Sequence, residues 1–166
     1  MRSNYLFTRT LPLVTVAGLL LCSCSTVAPN PPFNEAEFQP YLRSGTSTIT
    51  GQAFLKTRGG EVRFAAGNTV NLTPLTSYTR TTLEQVIVRG QKAPPADPRF
   101  PKYVRTTFAD GNGNFEFKNV PAGQYLAYVP ILWEVPTQYG AQQTGGFAYA
   151  HVTAKPGETV KVVASR

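Results

Sequence analysis

Residues 110–114, with the sequence DGNGN, are the segment whose spacing comes closest to metal chemistry. Oxygen-bearing side chains stand at every second position, on Asp110, Asn112 and Asn114. This spacing matches positions 1, 3 and 5 of a calcium-binding loop, where carboxylate and amide oxygens surround the ion. The first question is therefore whether the segment holds a cation or only turns the chain.

The residues that follow argue against a cation site. Position 6 of the calcium-loop pattern needs a glycine and is Phe115, while position 12 needs a bidentate glutamate and is Pro121. Phe115 and Phe117 instead alternate with charged residues, as in a half-buried strand. We therefore predict a hairpin turn at residues 110–113, a type I turn at 120–123, and no bound metal or other cofactor.

Catalytic side chains are scarce in this sequence. Its one histidine, His151, lies in a predicted strand, and the sequence contains no nucleophile elbow, zinc-protease motif or phosphate loop. The spacing of the nine acidic residues does not predict a carboxylate pair. We predict that the protein is not an enzyme, because a hydrolase of this composition would need His151 to face a carboxylate across a cleft.

Aromatic residues offer the first binding hypothesis. Residues 124–135 alternate so that positions 125, 127, 129, 131, 133 and 135 form one apolar face, which we predict to be core. Tyr128 and Trp133, with Tyr139 in the following loop, are the candidate ligand-binding residues, because sugar rings stack on aromatic faces. In the alternative interpretation, Tyr128 and Leu132 pack beneath a helix. Pro130 predicts a sheet edge or a bulge, where backbone groups stay open to a partner strand.

Basic residues offer a second binding hypothesis. Between positions 80 and 105, six basic residues stand against two acidic ones, an excess that predicts a surface facing membrane or cell-wall anions. The candidate anion-facing residues are Arg80, Arg89, Lys92, Arg99, Lys102 and Arg105. In the alternative interpretation, these residues form an ordinary solvated surface.

The N-terminus predicts export. Arg2 and Arg9 lie in residues 1–10 without an acidic residue. The apolar run at 11–21 is far shorter than the roughly 20 residues needed to cross a bilayer, so it is typical of a signal peptide.

Residues 21–24, LCSC, resemble the lipobox of bacterial lipoproteins. This resemblance implies cleavage after Ser23, giving a signal peptide at 1–23, and attachment of diacylglycerol and a further acyl chain to Cys24. Several chains anchor a protein stably, since each buried methylene contributes about 0.8 kcal/mol. Ser25 resembles an outer-membrane sorting signal. We therefore expect a lipid-anchored protein of the cell envelope, in the outer membrane and facing the periplasm or the surface.

Removal of the signal peptide would leave 14 basic and 9 acidic side chains, a net charge of +5. For an exported protein, the relevant anions are lipid headgroups and cell-wall polymers, so we expect no nucleic-acid partner. With both cysteines at positions 22 and 24, the exported domain would contain no disulfide.

Two segments follow the lipobox. Residues 24–45 form a proline-rich tether with a short predicted helix, in which Asn34 and Glu37 form a capping box and Phe33 and Phe38 a hydrophobic staple. Residues 46–166 form one domain of short strands, interrupted at 76–101 by an insertion with a helix that ends at Gly90. The predicted strands are 48–55, 62–64, 69–75, 102–108, 114–118, 124–135, 146–154 and 159–164. The type II turn pattern at 155–158 predicts that the last two strands form a hairpin.

Residues 106–125 resemble the signature of carboxypeptidase regulatory-like domains. The matching residues are Thr106, Thr107, Asp110, Gly113, Phe115, Phe117, Val120, Pro121, Gly123 and Tyr125. The resemblance implies an all-β, seven-stranded, transthyretin-like Greek-key sandwich, with weaker similarity over 46–166. It carries no catalytic residues onto this chain.

These observations predict an anchored, non-enzymatic β-sandwich that binds a protein or a structural component of the envelope. The alternative is a carbohydrate-binding module of the starch-binding kind, a function that also occurs within the fold implied by the resemblance.

Overall fold

The structure, a computed structural model, describes residues 31–93 and 95–166 of the 166-residue chain. The predicted signal peptide, which ends at Ser23, and the predicted lipid-attachment residue Cys24 lie outside these residues. Within them, no helix is long and apolar enough to cross a membrane.

Two four-stranded sheets pack face to face, which confirms the predicted all-β sandwich. The strands are β1 (Ser47–Lys56), β2 (Val62–Phe64), β3 (Thr69–Pro74), β4 (Arg105–Phe108), β5 (Asn114–Val120), β6 (Gly123–Thr137), β7 (Gly140–Ala154) and β8 (Thr159–Ala164). In the first sheet β1 pairs with β2, β5 and β8, and the second sheet has the order β4-β3-β6-β7. The described residues thus contain eight strands, as the alternating pattern predicts, where the resemblance implied seven.

Alternating residues from the two sheets form the core. The predicted inner face of β6 is buried from Tyr125 to Ile131 and becomes half-buried at Trp133. Phe115 and Phe117 of β5, only 4% and 5% exposed, face the same core, so the residues after the DGNGN segment form the predicted half-buried strand. Burying two aromatic rings there contributes strongly to the free energy of folding.

Two connections differ from the predicted hairpins. The turn at 110–113 joins β4 of the second sheet to β5 of the first, because β4 pairs with β3 and β5 with β1. The turn at 155–158 has the expected hydrogen bond from Glu158 N to Lys155 O (3.1 Å) and a positive φ of 73° at Gly157. However, β8 then pairs in parallel with β1 rather than with β7. Both hairpin predictions are wrong, because a tight turn can connect strands of different sheets as well as paired strands.

The insertion contains the main helix. Helix α2 begins at Ser77, runs as an α-helix through Leu83 and continues as a π-helix from Glu84 to Val88. Thr76 and Thr79 form a capping box at its start, and Gly90, with φ 64°, follows its end. A 3-10 helix, Phe100–Tyr103, occupies the start of the strand that was predicted from residue 102.

Residues 33–42 pack against this insertion. Helix α1 (Glu35–Phe38) runs into a 3-10 helix (Gln39–Leu42), and Phe33 stacks on Phe38 at 4.7 Å, as the predicted staple requires. The capping box differs from the prediction. The Asn34 side chain accepts a hydrogen bond from Ala36 N, while Glu37 accepts from the backbone N–H and hydroxyl of Ser77, both at 2.8 Å. This contact connects the segment before β1 to the first turn of α2.

Candidate functional site

The outer face of β6 and β7 carries a row of cross-strand pairs. Leu126 lies opposite His151, Tyr128 opposite Tyr149, and Pro130 opposite Phe147. The Tyr128 and Phe147 rings meet edge to face with centroids 6.2 Å apart, and Tyr149 meets His151 in the same way at 6.4 Å. We call these six residues the outer row. Phe147, Tyr149 and His151 therefore share one face of their strand.

Helix α2 covers only one end of the outer row. Leu83 and Ile87 of the helix pack on Leu126, which is 3% exposed. Tyr128 and Pro130 are half-buried, and Leu132, the next outward residue on β6, is 54% exposed. The packing of Tyr128 near the helix agrees with the alternative interpretation, whereas Leu132 lies beyond the reach of the helix.

A cleft of about 310 Å³ opens between α2 and the covered end of the outer row. Its apolar walls are Leu75, Leu83, Ile87, Val88, Leu126 and Tyr149. Three polar residues complete the lining: Arg80, Glu84 and His151. The volume is at the lower end of the roughly 300–1,000 Å³ that is usual for ligand pockets. An apolar interior with a few polar groups is the usual composition of a small-ligand site.

The two charged residues of the cleft lining, Arg80 and Glu84, differ in whether they form an ion pair. Glu84 accepts an ion pair from Arg89 at 3.1 Å, on the exposed side of the helix. Arg80 is exposed and makes neither an ion pair nor a hydrogen bond with its side chain in the part of the chain that the structure describes. Next to the cleft, burial raises the pKa of the Tyr128 phenol, and the side chain of Thr73 opposes this shift.

Contacts at both ends of α2 position the cleft. At the start, Glu37 holds Ser77, and the Tyr78 hydroxyl accepts a hydrogen bond from Asp97 N at 2.8 Å. At the other end, the Arg166 guanidinium donates to the carbonyl oxygens of Ile87 and Val88, each at 3.3 Å. The two Arg166 hydrogen bonds satisfy carbonyl groups that the last turn of a helix leaves unpaired. Helix α2, which forms one wall of the cleft, is therefore held in place by segments far apart in the sequence.

The predicted aromatic residues do not share one surface. Tyr128 belongs to the outer row, whereas Trp133 lies on the opposite face of β6, where the Arg63 guanidinium is 6.0 Å from its ring centroid. Tyr139 is 91% exposed at the tip of the β6–β7 hairpin. A ligand role for Trp133 and Tyr139 stays a prediction, and the residue that sequence reasoning did not select, Tyr149, lines the cleft.

The predicted basic residues are also dispersed. Arg99 binds Asp97 at 2.9 Å and Lys102 binds Glu35 at 2.6 Å, so both exposed side chains already pair with acids of this chain. Arg105 donates to the carbonyl oxygens of Asn119 and Arg43. With Arg89 paired to Glu84, only Arg80 and Lys92 of the six form no side-chain ion pair or hydrogen bond among residues 31–93 and 95–166, and only Arg80 lines the cleft.

The DGNGN segment uses its oxygens internally. One oxygen of Asp110 accepts hydrogen bonds from the backbone N–H groups of Asn112 and Asn114, both at 2.8 Å. The other accepts from the Asn114 side-chain amide at 2.9 Å. The hydrogen bond from the Asn114 side chain is the main reason that the pKa of Asp110 lies below its ordinary value. The carboxylate therefore stabilises the turn.

Two further observations concern a possible catalytic histidine and a possible metal site. His151 shares the cleft with Glu84, but no hydrogen bond joins this histidine to a carboxylate in the described residues. Nor does that part of the chain contain three His, Cys, Asp or Glu side chains grouped so that they could hold a metal ion.

No protein-family model and no curated protein matches this chain. Among solved structures, it is similar to a candidate carbohydrate-binding protein of Pseudomonas aeruginosa, with a TM-score of 0.75 and 26% identity. The alignment covers 83% of this chain and 100% of that one. A minor pilin of Streptococcus agalactiae aligns with a TM-score of 0.36 and 17% identity over 74% of this chain and 44% of the pilin, too low to support an argument. The first similarity agrees with the two-sheet architecture.

Proposed function

We propose that this protein is a non-enzymatic binding module that holds a carbohydrate on the outer row and in the cleft beneath α2. The observation that carries the proposal is the geometry of the cleft, where Tyr149 and the apolar side of α2 face Arg80, Glu84 and His151. A sugar has apolar ring faces and a polar rim of hydroxyl groups. An aromatic wall beside a few polar groups offers complementary surfaces to both.

The similarity to the Pseudomonas aeruginosa protein supports the same conclusion. That protein is described as a candidate for carbohydrate binding, and this chain covers its whole length. Because a shared fold does not establish a shared function, the proposal rests on the cleft and takes the similarity as support. Membership of the carboxypeptidase regulatory-like family is a further proposal, based on residues 106–125.

Substitution of Tyr149 tests the site. We expect Tyr149→Ala to abolish shifts in the amide NMR spectrum that a panel of neutral and acidic sugars causes at Leu126 and His151. Phe108→Ala is the matched control, because Phe108 is an aromatic residue, 73% exposed, that does not line the cleft. If no sugar shifted any cleft signal, or if Phe108→Ala abolished the shifts and Tyr149→Ala did not, the proposal would be wrong.

We further propose that a lipid on Cys24 anchors the module in the outer membrane. From Cys24 to Phe33, nine residues reach at most about 32 Å when fully extended, so the module would lie close to the bilayer. Cys24→Ala should move the protein from the membrane fraction to the soluble periplasmic fraction. Retention in the membrane, with an intact fold by circular dichroism, would contradict the anchor.

A protein partner is the second candidate, favoured by the free edge of the β6–β7 ribbon. Strand β3 pairs with β6 only as far as Tyr128, and Pro130, which lacks an N–H donor, comes two residues later. The pairing with β7 continues in register to Gly140, so Pro130 marks an edge and not a bulge. On the other side of the ribbon, β7 is the last strand of the second sheet, and its residues 140–146 contain no Lys or Pro to block strand addition. Gln143→Lys should then reduce cross-linking of a partner in membranes, whereas unchanged cross-linking would contradict this candidate.

A further inference from the structure

Arg80 is a cationic group at the cleft that forms no ion pair with an acid among residues 31–93 and 95–166. It is exposed on α2 and lines the cleft beside the apolar residues Leu83 and Ile87. Glu84, four residues later, lies on the same side of the helix, but it pairs with Arg89 instead. This acid lines the same cleft, but its ion-pair partner is Arg89 and not Arg80.

Two other basic residues in or next to the insertion, Arg99 and Lys102, differ from Arg80 in their ion pairs. Arg99 is bound by Asp97, and Lys102 by Glu35, so acids of this chain already satisfy them. Arg80 thus combines two properties that those residues lack. It borders a cavity, and its guanidinium remains available to a ligand within the described structure.

A guanidinium beside apolar walls selects for a carboxylate. Its planar fork forms two parallel charge-assisted hydrogen bonds with a carboxylate, which neutral hydroxyl groups cannot match in strength. The sugar ring would lie on Tyr149, with its acidic group toward Arg80.

We infer that the cleft binds an acidic sugar, one that carries a carboxylate, and that Arg80 is the residue that recognises the acid. This inference rests on the proposed carbohydrate function and specifies the class of sugar.

Two sugars that differ in one group test the inference. N-acetylmuramic acid is N-acetylglucosamine with an added lactyl ether that bears a carboxylate. Amide NMR titration of the full exported chain measures both dissociation constants, even in the millimolar range. We expect at least about tenfold tighter binding of the acidic sugar, which corresponds to about 1.4 kcal/mol. Arg80→Gln should abolish this preference, whereas Arg80→Lys should keep part of it.

Lys155→Gln is the charge-matched control, because Lys155 is exposed and lies outside the cleft. It should leave the preference for the acidic sugar unchanged. Equal binding of the two sugars, or a preference that survives Arg80→Gln, would overturn the inference while leaving the carbohydrate function in place. Failure of both sugars and of the wider panel to bind would overturn the two together.

Discussion

The two faces of β6 carry similar apolar residues but differ in how far those residues are buried. The inner face is buried from Tyr125 to Ile131. On the outer face, the exposed fraction of the side chain rises from 3% at Leu126 to 54% at Leu132. The difference arises because a whole sheet covers the inner face, whereas in the described part of the chain the helix that packs on the outer face, α2, ends at Val88. The partly covered face, and not the fully buried one, can form a ligand site.

The largest expected effect compares the two tyrosines of β6. Tyr125 is 1% exposed and donates a hydrogen bond to Pro121 O at 2.8 Å, whereas Tyr128 is half-buried. Tyr125→Ala should reduce the free energy of unfolding by about 4 kcal/mol, and Tyr128→Ala by about half as much. Urea unfolding followed by circular dichroism measures both values. Equal losses would show that the outer face is as tightly packed as the inner one.

A second comparison uses neighbouring aliphatic residues. Ile131→Ala should cost about 3 kcal/mol, because it leaves a cavity in the core. Leu132→Ala, at the exposed end of the outer face, should change the free energy of unfolding by less than about 0.5 kcal/mol. The same urea titrations, followed by fluorescence of the single tryptophan Trp133, provide the measurement. A cost above 1 kcal/mol for Leu132→Ala would mean that something covers this residue in solution.

As the pH falls, we expect the structure around α2, on the outer face of β6, to change before the structure of the inner face. Arg99 lowers the pKa of Asp97 to about 2, and hydrogen bonds from Ser77 lower the pKa of Glu37. A carboxylate whose pKa is lower in the folded state stabilises it above the unfolded pKa, near 4, and loses this effect as the pH falls toward the folded value. Between about pH 4 and pH 2, NMR signals of α2 should therefore shift while those of Ala127 and Val129 stay unchanged.

The control for the acid experiment is Asp97→Asn, which removes the group that titrates near pH 2. This variant should lack the lowest-pH part of the α2 shift. Simultaneous movement of the inner-face signals would indicate global unfolding and contradict a separate response of the outer face.

Calcium should have the smallest effect, because neither face of β6 depends on the turn at 110–113. The oxygens of Asp110 already accept hydrogen bonds from Asn112 and Asn114. We expect millimolar calcium to leave the Tm unchanged in differential scanning calorimetry. A rise of several degrees would indicate a cation bound by the folded state and would restore a metal site at this turn.

Periodicity predicted the strands and the inner face of β6 well, because alternation records which side of a strand is buried. It could not predict which strands pair. The turns at 110–113 and 155–158 have ordinary turn residues, and only contacts between distant segments show that each connects different sheets. Local chemistry therefore predicts turns more reliably than it predicts topology.

The helix and the strand face that form the cleft could be predicted from the sequence, but their arrangement around it could not. The apolar spacing of Leu83 and Ile87 indicated a helix with one buried side, and the outer residues of β6 needed a cover. Nothing in the sequence placed α2 over the pair of Leu126 and His151, or left Arg80 at the cleft while Arg99 and Lys102 met acids. Those outcomes depend on the path of the whole insertion.

The parallel pairing of β1 with β8 has a mechanical consequence. The segment from the N-terminus joins β1 at Ser47, and the chain leaves β8 toward Arg166 at the opposite end of the pair. A force that pulls these two ends apart acts along both strands, so their hydrogen bonds must break together in shear rather than one after another. A load joined after Arg166 would thus be resisted by six residue pairs at once, from Thr48 with Thr159 to Ala53 with Ala164.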